Sequence, residues 1–247
     1  SQYGNPNAKW ETTTSSNFGI DALMLDRKLS VEFDLWSRST TDLLLNVPIA
    51  YSAGDGGAPA LNVGEMLNSG FDLGLSYSDQ KGDFGYSIGA NISQYKNEII
   101  QLDEFDTPIF GYNSRVPAVS ITQVGQPISM FYGFETQGIF QSDAEATAYT
   151  VQPNAVAGDL KFIDHNEDGR ITDADRVTRG SAFPDITYAF NADFNYKNFD
   201  MRVFLQGVSG SSAYNGVKLT TVYPNQTSVG PEANLSADAI DTWSPTN

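Results

Sequence analysis

The sequence contains no cysteine and a single histidine, His165. Without thiols there are no disulfide staples, no thiolate zinc sites and no cysteine nucleophile, and one imidazole leaves multi-histidine metal sites without partners. Positive charge is also scarce. Against 30 Asp and Glu stand 14 Lys and Arg, for a net charge of −16 over 247 residues. No basic stripe exists to neutralise phosphates, so nucleic acid is excluded as a partner and anionic headgroups are disfavoured. No apolar run approaches the ~18 residues that a membrane-spanning helix needs. A helical membrane protein is thereby excluded. A β-barrel is not, because its strands need only ~9 to 11 residues and hide their apolarity in alternation.

What is present reads as strands. Aromatic residues make up 12% of the chain and glycine contributes 22 residues, a mixture suited to strands that turn corners and pack rings on one face. With a period of two, Phe71, Leu73, Leu75 and Tyr77 alternate with Asp72, Gly74, Ser76 and Ser78. Residues 84–93 repeat the pattern, with Phe84, Tyr86, Ile88, Ala90 and Ile92 on the apolar side. The polar "SDQKGD" between them predicts a hairpin with its turn over 79–83. Two further hairpins follow the same logic. Phe18 to Met24 lead through "LDRK" into Leu29 to Leu35, and Ile186 to Tyr196 lead through "KN" into Phe199 to Leu205.

Six strands in three hairpins are joined by connections that alternate sharply in length. Tight turns at 25–28, 79–83 and 197–198 alternate with excursions at roughly 47–63, 103–183 and 209–247. Outer-membrane barrels sort their loops this way, with short periplasmic turns and long outer loops. One face is aliphatic and aromatic, as lipid requires. The other carries Ser, Asn, Asp, Gly and Glu, as a wet lumen requires. An antiparallel sheet packed on a soluble core is the alternative that the pattern leaves open. Such a barrel takes at least about eight strands to close, so the expectation is a fragment of a larger one. The predicted organisation is a loop end at 1–9, a hairpin at 10–46, a loop at 47–63, a hairpin at 64–102, a long loop at 103–183, a hairpin at 184–208 and a further loop at 209–247.

Particular stretches carry a family resemblance. "NPNAKWETTTSSNFGID" (5–21), "NSGFDLGLSY" (68–77), "FYGFETQGIFQS" (131–142), "GDLKFIDHNEDGRITDADR" (158–176), "FPDITYAF" (183–190) and "FLQGVSGSSAYN" (204–215) resemble, in order, the barrel portion of SusC/RagA-type TonB-dependent transporters. Ala189 stands where Gly is expected, and Ala157 where Pro often precedes the Gly-Asp. The resemblance implies an all-β fold, namely part of an antiparallel transmembrane β-barrel of about 22 strands with long extracellular loops in a Gram-negative outer membrane. It further implies a plug domain and a TonB-contacting segment, neither of which is found in these residues. Also implied are import of oligosaccharides or peptides, energy from the TonB complex, and a SusD-like surface lipoprotein as a lid. On that reading Asp21, Glu32, Asp34, Asp72, Asp193 and Asp200 belong to an acidic lumen wall, which favours neutral, hydrated cargo over anions.

One loop carries chemistry of its own. A calcium loop of the EF-hand type needs oxygen donors at positions 1, 3, 5, 7, 9 and 12 and glycine at 6. "DHNEDGRITDAD" supplies Asp164, Asn166, Asp168, the carbonyl of Arg170, Thr172 and Asp175, with Gly169 in the turn and Ile171 as a core anchor. Chance produces this pattern in a chain of this length only about a few times in ten thousand. Asp175, one methylene shorter than the usual Glu, predicts weak affinity, on the order of 10⁻⁴ M, with tolerance for magnesium. The expected role is structural, with the ion cross-linking the long excursion beside the lid interface. An Asx-turn without an ion is the plainer reading of the same residues.

Other features are expected to be structural. His165 at position 2 points away from the ion into solvent. Asp103 with Glu104, or Asp143 with Glu145, invite comparison with glycosidase pairs, but a chain this acidic predicts a solvated surface. Phe131, Tyr132 and Phe134 are expected to pack a small hairpin within "FYGFETQGIF" rather than stack on sugar. "GDGGAP" (54–59) lacks the ending of a phosphate loop and reads as a loop tip, and the Asn225 and Asn234 triplets carry no meaning as glycosylation sites in a bacterial outer membrane. The competing functional reading is a calcium-stapled extracellular binding or adhesion module without transport. No second calcium loop is present to support a paired module.

Overall fold

The structure is a computed structural model describing residues 5–46, 60–113, 116–222, 235–241 and 243–244. Twelve strands occur among the described residues: β1 (Thr12–Met24), β2 (Leu29–Asn46), β3 (Ala60–Lys81), β4 (Phe84–Gln101), β5 (Ile109–Asn113), β6 (Val116–Thr122), β7 (Met130–Phe134), β8 (Thr136–Ile139), β9 (Leu160–Phe162), β10 (Arg176–Thr178), β11 (Ile186–Tyr196) and β12 (Phe199–Ser209). Two one-and-a-half-turn helices, α1 (Asp143–Ala148) and α2 (Gly216–Thr221), are present as well. The chain divides into two compact units, one holding residues 1–110, 121–130 and 180–212, the other residues 111–120, 131–179 and 213–247.

The first unit is an open six-stranded antiparallel sheet in the order β1-β2-β3-β4-β11-β12. All three expected hairpins are present. Their register joins Asp21, Glu32, Gly74, Asn91, Ala189 and Gln206 into one polar row, and Ile20, Phe33, Leu73, Ile92 and Tyr188 into an apolar row on the opposite face. On the apolar face Phe18 and Leu205 are each 62% exposed and Phe199 79%, so no described part of the chain covers it. Toward the tight turns it carries Tyr77, Phe84, Tyr86 and Phe194, with ring centroids 5.9 to 6.4 Å apart, the aromatic girdle of a barrel interface. From Phe84 to Gln94, where the outward face turns polar, ten residues rise about 25 Å at the usual tilt, which matches the apolar band of such barrels.

The strands run further than alternation predicted. β3 starts at Ala60 and continues to Lys81, so only Gly82 and Asp83 form the second turn. Gly82 has φ +60, a left-handed conformation that glycine adopts without penalty. Asp79, Gln80 and Lys81 stay paired because ladder hydrogen bonds do not depend on apolar side chains. Within the predicted loop 47–63, residues 60–63 are strand, and "GDGGAP", Asn225 and Asn234 lie outside the described residues.

Above Gln94 the edge of β4 passes from β11 to other partners. Tyr95 N–H donates to the Asp185 carbonyl (3.1 Å), and Ile99 exchanges backbone hydrogen bonds with Gln126 (2.9 Å) and Gly125 (2.8 Å). The edge is thereby capped by the chain's own excursion, which removes a template for unwanted pairing.

In the second unit, β7 lies between β6 and β10 in a four-stranded sheet, while β8 pairs with β9. "FYGFETQGIF" is therefore no local hairpin. Its two strands, joined through Glu135, pair with segments well downstream, because β9 and β10 flank the loop at 163–175. Phe140, with no exposed surface, centres the apolar packing. Its ring lies 5.7 Å from Tyr149 and Lys161 Nζ sits over both rings.

Candidate functional site

The loop at 164–175 is built by side chains folding back onto the backbone. Asp164 Oδ2 accepts from Gly169 N–H (2.9 Å), Asn166 Oδ1 from Asp168 N–H (3.0 Å) and Asp168 Oδ1 from Arg170 N–H (2.9 Å). The last two are successive Asx turns, which aspartate and asparagine form readily, while the Asp164 bond spans the whole bend. Gly169 at φ +83 makes the sharp bend, and Ile171 N–H donates to the Val151 carbonyl (3.0 Å), anchoring the loop to its unit. The other Asp164 oxygen, Oδ1, is buried without a hydrogen-bond partner among the described residues. An orphaned buried carboxylate oxygen is costly unless something satisfies it.

Thr172 and Asp175 close the other end. Thr172 caps a turn of 3-10 helix at Asp173–Asp175 in a reciprocal capping box. Asp175, fully buried, accepts from the backbone N–H groups of His165 (2.9 Å), Asn166 (3.4 Å) and Thr172 (2.7 Å). The Thr172 N–H bond leads the causes that hold its carboxyl below the ordinary range. In this geometry Asp175 fastens the loop to itself.

The six residues expected to surround an ion thus fall into two sets. Asp164, Asn166, Asp168 and Arg170 gather around the glycine bend, while Thr172 and Asp175 are engaged in capping. Among the described residues no three His or acidic side chains form a metal-holding group on their own. A hard cation here would draw on the Asn166 amide and the Arg170 carbonyl besides Asp164 and Asp168. Oxygen-only donors and the orphaned Asp164 Oδ1 fit calcium or magnesium.

His165 is an exposed residue, as expected, but its side chain has a partner: Nε2 lies 3.2 Å from Glu135 Oε2. Glu135 also holds Arg179 (2.9 Å), and its carbonyl accepts from Ile163 N–H (3.0 Å). The Arg179 guanidinium, ahead of His165, keeps the Glu135 carboxyl below its usual range. Phe134 packs against Phe162 (5.2 Å) and lies under Arg176 (4.8 Å), so it serves the fold of this unit. The acidic pairs are also spent on structure. Asp103 accepts from the backbone of Phe105 and Thr107, Asp143 from Ala157, and Glu145 from Gln141 while pairing with Lys161.

The polar face of the six-stranded sheet holds a second group of residues, which alternation alone does not single out. Asn97 and Asn68 are buried there. Asn97 Nδ2 donates to Asn68 Oδ1 (2.7 Å), which also accepts from the Tyr95 hydroxyl (2.7 Å), and Asn97 Oδ1 accepts from Ile128 N–H (2.8 Å). Tyr95 in turn lies 6.1 Å from Trp36, whose indole N–H donates to Asp72 (2.9 Å). An aromatic in phase with Asp and Asn was the signal available. Toward the tight turns, Asp193 pairs with Arg202 on the same face.

A sheet with one solvated acidic face, one exposed apolar face and an aromatic belt is a piece of barrel wall. Residues 1–160 match the family model described as TonB dependent receptor-like, beta-barrel. The chain belongs to that family. Among relatives, TonB-dependent receptor P3 of Formosa agariphila is 33% identical over 99% of this chain and 24% of its own length. TonB-dependent receptor SusC of Bacteroides thetaiotaomicron is 25% identical over 85% of this chain and 20% of its own. A chain in the structure of the RagAB peptide transporter shares the fold over the whole of this chain, with a TM-score of 0.76, 24% identity and 26% of that chain covered. The chain thus spans about a quarter of the length of these relatives. It is a SusC-like TonB-dependent receptor segment, its sheet open because only part of the barrel wall is present, and it resides in the outer membrane of a Gram-negative bacterium. The apolar face meets lipid and the polar face meets the lumen.

Proposed function

We propose that this receptor segment forms part of the wall of an importer for oligosaccharides or peptides. The observation that carries the reading is the two-faced sheet, with an exposed apolar surface outside and the acidic pairs Asp21 with Glu32 and Asp34 with Asp72 inside. Such a wall offers hydrogen bonding without catalytic machinery, so passage is binding and gating rather than bond chemistry. Energy comes from the TonB complex through parts of the receptor outside these residues, and a SusD-like surface lipoprotein captures cargo above the lumen. Its similarity to SusC and to a chain of the RagAB peptide transporter supports import as the class of activity.

The long excursion at 103–183 belongs to the outer side, opposite the tight turns. There the 164–175 loop acts as a structural clasp for calcium, with magnesium as a weaker substitute. Asp164, Asn166, Asp168 and the Arg170 carbonyl would hold the ion, and its charge would satisfy the orphaned Asp164 oxygen. Thr172 and Asp175 keep the loop closed around that position. The test is uptake by cells carrying the full-length receptor, its lid lipoprotein and TonB, with each deleted in turn. Uptake of a glycan or peptide lost in all three deletions is the expected result. Uptake independent of TonB would overturn the importer reading.

A further inference from the structure

We infer that Trp36 and Tyr95 form a stacking subsite on the lumen wall for a pyranose ring of a neutral oligosaccharide, a deepening that rests on the importer reading above. Both residues occupy lumen-facing positions. Trp36 is in phase with Glu32 and Asp34, and Tyr95 with Asn91 and Ser93. The register joins them through Gly70, with Trp36 opposite Gly70 and Gly70 opposite Tyr95. Because Gly70 has no side chain, the two rings meet across the intervening strand, with centroids 6.1 Å apart and planes 36° apart. A Cβ at Gly70 would strike the Gln94 carbonyl and press on the Trp36 ring.

The pair is held in place rather than left to rotate. The indole N–H is tied to Asp72 Oδ2 (2.9 Å), and the Tyr95 hydroxyl to Asn68, itself fixed by buried Asn97. Phe183 extends the aromatic row, 6.0 Å from Tyr95. Yet Trp36 and Tyr95 are only half-buried, so they still present surface to the lumen. A ring whose orientation is paid for in advance loses little entropy when a ligand stacks on it.

The surroundings select the ligand class. A cavity beside the rings is lined by Asn17, Asp34, Trp36, Arg38, Asp72 and Tyr95. One oxygen of Asp34 accepts from Asn17 Nδ2 (3.1 Å) and one of Asp72 from Trp36. Among the described residues the second oxygen of each has no protein partner, so two acceptors flank an aromatic shelf. A pyranose presents the counterpart, with an axial C–H face that lies on a ring and equatorial hydroxyls that donate around its rim. A peptide fits less well, because both backbone edges of β2 and β3 are paired here, so no strand can be added. Anionic cargo would meet two carboxylates, Asp34 and Asp72, against the single guanidinium of Arg38.

The test uses the full-length receptor in detergent with a panel of neutral hexasaccharides of glucose, mannose, xylose and galactose, and a mixed tryptic peptide pool as the second arm. Affinities are compared for the wild type, Trp36→Ala and Trp36→Phe, with heat-modified gel migration as the fold control. The wild type is expected to bind at least one glycan. Trp36→Ala should weaken it by about 10-fold or more, and Trp36→Phe, which keeps the ring but loses the bond to Asp72, should retain most of the affinity. If glycan binds equally to Trp36→Ala, the subsite is wrong and the importer reading stands. Equal loss in both variants means that Trp36 only braces Asp72, which also overturns the subsite. Retention of peptides alone refutes the glycan class, and a receptor that retains neither removes the importer reading together with the subsite.

Discussion

Glu135 and Arg179 form an ion pair at 2.9 Å across the point where β7 gives way to β8, and the same carboxylate reaches His165 at 3.2 Å. One acidic residue thus ties both sides of the 163–175 loop to the joint between two small sheets. The groups are a third to a half exposed, so solvent screens the pairing and its effect is local. Glu135→Gln should raise amide exchange across 163–179 by about threefold while leaving exchange in β2, β3 and β4 unchanged. Hydrogen exchange by mass spectrometry on the full-length receptor checks this.

Asp175 is more critical than Glu135 because it has no exposed surface and receives three backbone N–H groups. Asp175→Asn replaces an acceptor oxygen by a donor amide facing those same N–H groups. Exchange of the His165, Asn166 and Thr172 amides should accelerate by roughly 100-fold, since buried donors left unsatisfied are costly. Asp173→Asn is the matched control. Its side chain is 86% exposed and pairs with Arg176 only, so its effect should be slight.

The same bonds set a pH dependence. Asp175 has its carboxyl lowered from 3.8, first by the Thr172 backbone bond. A group whose folded pKa is depressed binds fewer protons folded than unfolded, so stability rises with pH between the two values. The contribution is fully present above the ordinary carboxylate value. It is lost as pH falls through the lower, folded value. Limited proteolysis should therefore find the loop unchanged from pH 7 to about 4.5 and increasingly cut below the ordinary carboxylate range of about 3.9.

Chelation tests the clasp. With calcium present the excursion at 103–183 should resist protease, and with EDTA it should be nicked while the barrel strands stay protected. Magnesium should restore protection only at higher concentration, because its smaller shell demands stricter octahedral geometry. Asp164→Ala should abolish the difference between the two conditions, since it removes the orphaned oxygen that the ion would satisfy. Identical cutting with and without chelator would leave the loop as a set of Asx turns.

Where two solvents meet a sheet on opposite faces, sequence is informative, and the three hairpins were legible from Phe71, Leu73, Leu75 and their counterparts. The extensions of β3 at Ala60 and at Asp79 to Lys81 were not. Outside the apolar band both faces are wet, so alternation disappears although backbone pairing continues. The partners of β7 and β8 were hidden for another reason. β10 and β9 lie 20 or more residues downstream, and nothing in "FYGFETQGIF" encodes that distance. The pairing of the exposed His165 with Glu135 was hidden because the two are 30 residues apart in sequence. Trp36 and Tyr95 were legible in phase as aromatics among polar positions, but their meeting over Gly70 needed the register.

The assignment of faces makes the sharpest prediction, because adjacent residues should respond oppositely to one charge. Leu75 lies on the apolar face midway between the aromatic belt at Tyr77 and Tyr86 and the polar boundary at Gln94, with Ala90 and Phe190 in its row. Leu75→Arg places a guanidinium at the bilayer midplane, which costs about 2 to 4 kcal/mol in such barrels. Ser76 points to the lumen beside Ser30 and Gly89, where water and nearby Glu32 receive a cation. Ser76→Arg should therefore change stability little. Denaturant titration of the full-length receptor refolded into phospholipid bilayers measures both. Equal costs at the two positions would mean that the apolar face packs on protein rather than lipid, and reversed costs would invert the wall.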